Sequence, residues 1–178
     1  MNGKPFHIFL TGEKQVGKST LVSAVLSAAG LKYGGLRSIS VFDDNGNRNV
    51  FLVPAGNGNQ ETTALAGVCS NHHITEKYPE VFDDAGCRFL DHDGDVRLLV
   101  IDEIGNMERD ASLYSDRIRT LLGQNDIRIL GVVQKMAATD LADTVRKHPN
   151  VKLIEVNEHN RDSLVSEILS EIGIEDRD

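Results

Sequence analysis

Residues 12 to 19 read G-E-K-Q-V-G-K-S. That spacing satisfies G-x-x-x-x-G-K-[ST], a pattern suited to holding a chain of phosphates. Gly12 and Gly17 carry no Cβ, so the backbone over Glu13, Lys14, Gln15 and Val16 can curl until its N–H groups converge on one anion. The start of the following helix adds its positive end to the same place. Lys18 offers a point charge for β- and γ-oxygens, the Ser19 hydroxyl is a candidate Mg²⁺ ligand, and Thr20 is a candidate for the α-phosphate. A match by chance in a chain of this length is expected on the order of one time in a hundred.

A second acidic constellation closes the apolar run Leu98-Leu99-Val100-Ile101 with Asp102-Glu103. In open α/β sheets ligands sit at the carboxyl ends of strands, which is where a Walker B pair belongs. Asp102 is the candidate to hold Mg²⁺, and Glu103 the candidate to polarise a water for in-line attack on a γ-phosphate. Lys18 and Glu103 are thus the catalytic candidates, while Ser19 and Asp102 form the metal set. Arg161 is a further candidate to reach the nucleotide and stabilise developing charge; Arg109 and Arg117 are weaker ones. Cys69-x-x-His72 and Cys87-x₄-His92 offer two sulfurs and two imidazoles, chemically a zinc set. Their spacing matches no established finger, and side chains without metal are the preferred account. Val132-Val133-Gln134-Lys135-Met136-Ala137 approaches the Asn-Lys-x-Asp element that reads guanine. Ala137 has no carboxylate for the guanine edge, so a loose base preference is expected.

These residues need strands and helices to present them. Phe6 to Leu10 is a short apolar run ended by Thr11-Gly12, as for a buried strand, and Leu21, Val22, Val25 and Leu26 recur at helical spacing until Gly30. Leu36–Phe42 and Asn49–Val53 read as two strands of a hairpin turned at Asn45-Gly46. From Pro54 to about Asn71 the chain is rich in Gly, Asn, Thr and Ala without a period, which predicts a mobile connection. Leu98–Ile101, apolar throughout, reads as a central parallel strand covered on both faces. Leu113, Ile118, Leu121 and Leu122 suggest a helix, with Met107 in the core at helical spacing to Leu113. Residues 127–133 then read as a strand, 138–147 as a helix and 151–156 as a last strand. Leu164, Val165, Ile168, Leu169 and Ile172 share one face of a final helix that Asn160 could cap. The alternation predicts an α/β three-layer sandwich with a mostly parallel sheet and a small β-hairpin.

Length and composition set the bounds. At 178 residues and 19.5 kDa, one domain over residues 1–178 is expected. Nineteen Lys plus Arg against 27 Asp plus Glu give a net charge of −8, whose field repels DNA, RNA and anionic lipid, so no nucleic-acid or membrane partner is expected. That charge does not forbid a polyanionic ligand. Free charges beyond about 8 Å are screened at physiological salt, whereas a unit pair at 4 Å is worth roughly 4 kcal/mol at an effective dielectric of 20. No apolar run reaches membrane-spanning length, and the two cysteines form no disulfide framework, which together point to the cytoplasm.

Ile101-Asp102-Glu103-Ile104-Gly105-Asn106-Met107-Glu108 resembles the signature I-D-E-I-G-x-M-E of the cancer-related nucleoside-triphosphatase family, which includes small thermophile NTPases. The likeness runs from the glycine loop to His159-Asn160-Arg161-Asp162 with Leu164, similar to that family's E-N-R-D-x-L element. Lys77-Tyr78 resembles its Lys-Tyr element. The chain departs from the pattern at Lys14-Gln15, where Pro then Gly is usual, and at Asn106, where a basic residue is usual. The family's Thr-x-Glu-x-Arg strand is not recognisable around Arg37-Ser38-Ile39. The resemblance implies a P-loop NTPase fold with a RecA-like core and Mg²⁺-dependent hydrolysis of several nucleoside triphosphates to diphosphate and phosphate. Two other functions remain open on the residues alone. One is a small-molecule or nucleotide kinase using ATP, with Arg117-x-Arg119 as a faint lid candidate, and the other a non-catalytic NTP-dependent switch or adaptor.

Overall fold

Strand β1 (His7–Thr11) runs into the glycine loop and then helix α1 (Lys18–Ala29). Strands β2 (Tyr33–Phe42), β3 (Arg48–Pro54), β4 (Ala64–Ser70) and β5 (His73–Lys77) follow. Next come α2 (Pro79–Val81), a π turn (Phe82–Gly86) and α3 (Cys87–Phe89). The chain continues through β6 (Leu98–Ile104), α4 (Ser112–Leu122), β7 (Arg128–Val133), α5 (Asp140–Lys147), β8 (Val151–Glu155) and α6 (Leu164–Glu171). The computed structural model describes residues 6–56 and 63–173.

All the strands among the described residues join one sheet in the order β5-β4-β3-β2-β6-β7-β1-β8. The block β2-β6-β7-β1-β8 is parallel, and β3, β4 and β5 extend it as an antiparallel wing. Side chains on each central strand alternate between two apolar layers, as the two-residue period requires. Leu99, Ile101, Phe9, Ile129 and Val133 face the layer under α4 and α5, while Leu98, Val100, Ile8, Leu10, Leu130 and Val132 face the one under α1 and α6. The uniformly apolar Leu98–Ile101 is therefore a strand sandwiched between helices. Each fully buried Leu or Ile there is worth about 1.5–3 kcal/mol.

Local chemistry ends these elements where the residue types allow. Gly30 stops α1 in the left-handed region at φ 62°. In the β2–β3 turn, Asp43 Oδ1 accepts the N–H groups of Asn45 and Asn47, each at 2.9 Å, and Gly46 takes φ 78°. The Thr139 hydroxyl caps α5 by accepting the Ala142 N–H at 3.2 Å.

Four expectations need correction. The 54–71 stretch is not wholly a connection: β4 occupies Ala64–Ser70, and only 57–62 lies outside the described residues. The β2–β3 hairpin is accordingly continued by β4 and β5, with β2 at the border of the parallel block. Leu113 is 63% exposed, and the inward residues of early α4 are Tyr114 and Ser115. Met107 does pack on the core, but from the turn before α4. Asn160 does not cap α6: its Oδ1 accepts the Asn157 N–H at 2.8 Å and its Nδ2 donates to the Glu155 carbonyl at 2.9 Å, closing the turn after β8. Among the described residues no helix is long and apolar enough to cross a membrane.

Candidate active site

The glycine loop leaves the carboxyl end of β1 between β7 and β8. Gly12 adopts φ +142°, and a Cβ there would sit 2.4 Å from the Val156 carbonyl oxygen, so no side chain fits this entry to the loop. Gln15 and Gly17 also take positive φ, 62° and 100°. Helix α1 then starts with no side-chain cap and no acidic residue in its first turn. Its first N–H groups therefore keep their partial positive charge for a ligand. Lys18 is buried and folds back over the loop, with Nζ donating to the carbonyls of Gly12 (3.0 Å) and Glu13 (2.6 Å). Ser19 and Thr20 are exposed on the opening turn of α1.

Asp102 continues the Leu98–Val100 face of β6, the face that α1 covers. Its Oδ1 accepts the Ser19 hydroxyl at 3.1 Å. Ser19 and Asp102, 83 residues apart in sequence, are thereby brought together. Burial pushes the Asp102 carboxyl above the ordinary carboxylate range; the Ser19 hydroxyl and the Arg37 guanidinium pull it back, and Glu103 pushes it up. Arg37, paired in register with Asp102 on neighbouring β2, sets its Nε 3.7 Å from Asp102 Oδ2 and donates from Nη2 to Ser23 Oγ at 2.8 Å. Glu103 is half-buried, is joined to Asp102 by a cis peptide, and accepts a hydrogen bond from Gln134 Nε2.

Among the remaining candidates, only Arg161 and the loop residues lie at the glycine loop. Arg161 lies against the loop, its Cδ and Nη1 both 3.9 Å from where a Gly17 Cβ would stand, and it remains about half exposed beside Asp162. Glu13 is held from outside by Lys135, whose Nζ also bridges to Glu155 at 2.7 Å; the two carboxylates push the ammonium pKa up. Lys14 and Gln15 are exposed, and Val16 packs partly on the α1 layer. Arg109 donates to Asn106 and the Ala138 carbonyl, Arg117 pairs with Asp91, and Arg119 with Asp116. These three arginines are engaged locally. A cavity of about 550 Å³ lies among Glu108, Arg109, Ser115, Arg119 and Thr139, not over the glycine loop.

The cysteines and histidines do not assemble. Cys69 is buried on β4 with Arg48 donating to its sulfur, while His72 sits in the β4–β5 turn. Burial pushes the Cys87 thiol up, and His92 Nδ1 lies 3.2 Å from the Leu90 carbonyl. Among the described residues no group of three or more His, Cys, Asp or Glu side chains could hold a metal ion. Sequence reasoning missed Arg37 and the contact of Gln134 with Glu103. The register of β2 against β6 and of β6 against β7 creates both, and no contiguous motif encodes either.

A family model described as NTPase matches residues 7–169. The chain belongs to the NTPase_1 family. The similarity extends over most of the length of several relatives. "Cancer-related nucleoside-triphosphatase homolog" of Mus musculus is 29% identical, covering 92% of this chain and 95% of the relative. "Nucleoside-triphosphatase THEP1" of Aquifex aeolicus is 24% identical, covering 92% and 97%. Among solved structures, the crystal structure of THEP1 from Aquifex aeolicus superposes with a TM-score of 0.75 at 21% identity, covering 94% of this chain and 99% of that one, which shows the shared fold. The solution structure of a human cancer-related nucleoside triphosphatase gives a TM-score of 0.71 at 25% identity, covering 94% and 97%. This NTPase_1 chain thus has the P-loop NTPase fold, with the glycine loop and the Asp102-Glu103 pair at the carboxyl edge of its parallel block.

Proposed function

We propose that this chain is a Mg²⁺-dependent nucleoside-triphosphatase that hydrolyses NTP to NDP and phosphate with little base preference. The observation that carries the reading is the Ser19–Asp102 contact at 3.1 Å, which sets an uncapped helix start and a buried strand-end carboxylate on one small volume. The family membership and the printed names of the relatives support triphosphate hydrolysis.

The donor set fits the metal. A hydroxyl and a carboxylate are hard oxygen ligands, and Mg²⁺ takes few protein ligands beside substrate phosphates. Ser19 and Asp102 would hold the ion, and when bound it would neutralise charge on the β- and γ-oxygens. The loop N–H groups and the α1 N-terminus bind the β-phosphate, and Lys18 exchanges its two loop carbonyls for phosphate oxygens. Glu103 accepts a proton from the attacking water as the new oxygen–phosphorus bond forms. The bond from the γ-phosphorus to the bridging oxygen breaks, and its electron pair stays on the diphosphate. Lys18, already inside the loop, stabilises the charge that develops there. Arg161, lying against Gly17, adds a further cation at the rim. Loose base preference follows from Ala137, which is buried and presents no acceptor, and from Lys135, which is tied to Glu13 and Glu155.

The test is phosphate release from ATP, GTP, CTP and UTP with and without Mg²⁺. Release that needs Mg²⁺ and varies by less than about tenfold among bases is expected. Glu103→Gln should retain nucleotide binding and lose about a hundredfold or more in turnover. Tight binding without release, or phosphate appearing on an added acceptor in place of water, would overturn the reading.

A further inference from the structure

We propose that Gln134 is a positioning residue for Glu103, holding the carboxylate so that one oxygen is aimed at the attacking water. The inference deepens the proposed function and rests on Glu103 acting there as the base.

Two backbone contacts fix Gln134 before its side chain does anything. Its backbone N–H donates to the Ile104 carbonyl at 2.8 Å, tying the end of β7 to the end of β6. Its carbonyl accepts Arg146 Nη2 at 2.6 Å, and the same guanidinium reaches the carbonyls of Lys135 (3.1 Å) and Ala137 (2.9 Å). One α5 arginine thus clamps the whole 134–137 turn, with more donors than any other side chain could bring. The side chain then lies flat on Gly105. A Cβ on Gly105 would stand 2.5 Å from the amide carbon and Oε1 of Gln134 and 2.6 Å from its nitrogen. Gly105 is itself pinned, since its N–H donates to the buried Glu108 carboxyl at 2.5 Å and its carbonyl accepts the Thr139 hydroxyl at 3.4 Å.

The amide laid on this floor donates from Nε2 to Glu103 Oε1. A glutamate carboxylate at a strand end otherwise swings about three side-chain bonds. The bond to Oε1 restrains that motion and, among the described residues, leaves Oε2 as the oxygen open to water. Such ordering supplies reactive geometry without touching substrate, and small misplacements of this kind cost on the order of a hundredfold in rate. Gln134 therefore acts through Glu103, and the amide can be displaced without deleting it, by filling the space over Gly105.

The experiment compares Gln134→Met, Gly105→Ala, Glu103→Gln and the double variant Glu103→Gln with Gln134→Met, in full-length protein with Mg²⁺-ATP. Thermal melting establishes that each is folded. Gln134→Met and Gly105→Ala should each lower kcat by about ten- to a hundredfold with KM within about twofold, because ground-state binding does not involve Glu103. In the Glu103→Gln background, Gln134→Met should cost nothing further, since its target is gone. A kcat retained in both single variants overturns the proposal. So does an undiminished loss in the Glu103→Gln background, which would make Gln134 act on substrate directly, and so does a loss carried mainly by KM. Full activity in Glu103→Gln alone overturns the base assignment. Loss in Glu103→Gln with none in Gln134→Met overturns the positioning alone, so the two failures are separate.

Discussion

Glu108 is a carboxyl 2% exposed in the turn after β6, and burial raises its pKa from the ordinary 4.5 to about 7 against the pull of two backbone N–H groups. In the folded chain it keeps its proton up to about pH 7, whereas the unfolded chain releases it near 4.5. Between those values the native state binds more protons, so the stability this group contributes is fully present below pH 4.5 and is lost as pH rises through 7. At about 1.4 kcal/mol per pH unit the loss comes to about 3 kcal/mol. Glu108→Gln removes the titration and still offers the Gly105 N–H an acceptor. Urea denaturation followed by circular dichroism from pH 4 to 8 should show variant and parent equally stable near pH 4. The variant should pull ahead by about 3 kcal/mol above pH 7. Because the difference between the two proteins isolates one group, a gap that does not change with pH would refute the reasoning.

Other outcomes follow from the same structure. His7 is fully buried, with Nε2 on the Leu122 carbonyl and Nδ1 accepting the Ile129 N–H, and burial lowers its pKa from 6.5 to about 4. Its contribution is present above pH 6.5 and is lost as pH falls through 4, by about 3 kcal/mol. An imidazole that titrates near 6.5 by NMR would refute this. Over pH 4.5–6.5 the His7 and Glu108 slopes have opposite signs and cancel, so Glu108→Gln should also expose an acid-side loss that the parent masks. Gly12→Ala drives a methyl to 2.4 Å from the Val156 oxygen at a φ of +142°. It should cost about 2 kcal/mol or more and abolish nucleotide binding, as read by melting and calorimetry; unchanged values in both would contradict the account.

Some of this was legible in the chain and some was not, for physical reasons. The glycine loop is contiguous and Gly12, Gly17, Lys18 and Ser19 fall at a fixed spacing, so the turn between β1 and α1 could be read directly. Strand β6 announced itself because both faces are covered and every residue from Leu98 to Ile101 is apolar. Strand β4 did not. Its Gly67 makes room for Met107, whose sulfur would lie 2.4 Å from a Cβ there, so the strand is built of small residues that look like a linker. Strand β5 is exposed along its whole length and lacks the alternation that marks a half-buried strand. Arg37 and Gln134 were invisible for another reason: their partners, Asp102 and Glu103, are chosen by strand register, which a single sequence does not display.

The sheet ends in two open rims, since among the described residues β5 pairs only with β4 and β8 only with β1. Unpaired rims invite strands from other molecules, the first step toward filaments. Glu76 and Lys77 stand on one rim, and Lys152 and Glu155 on the other. An incoming strand would have to desolvate these charged groups or break their ion pairs, which works against edge-to-edge pairing at either border.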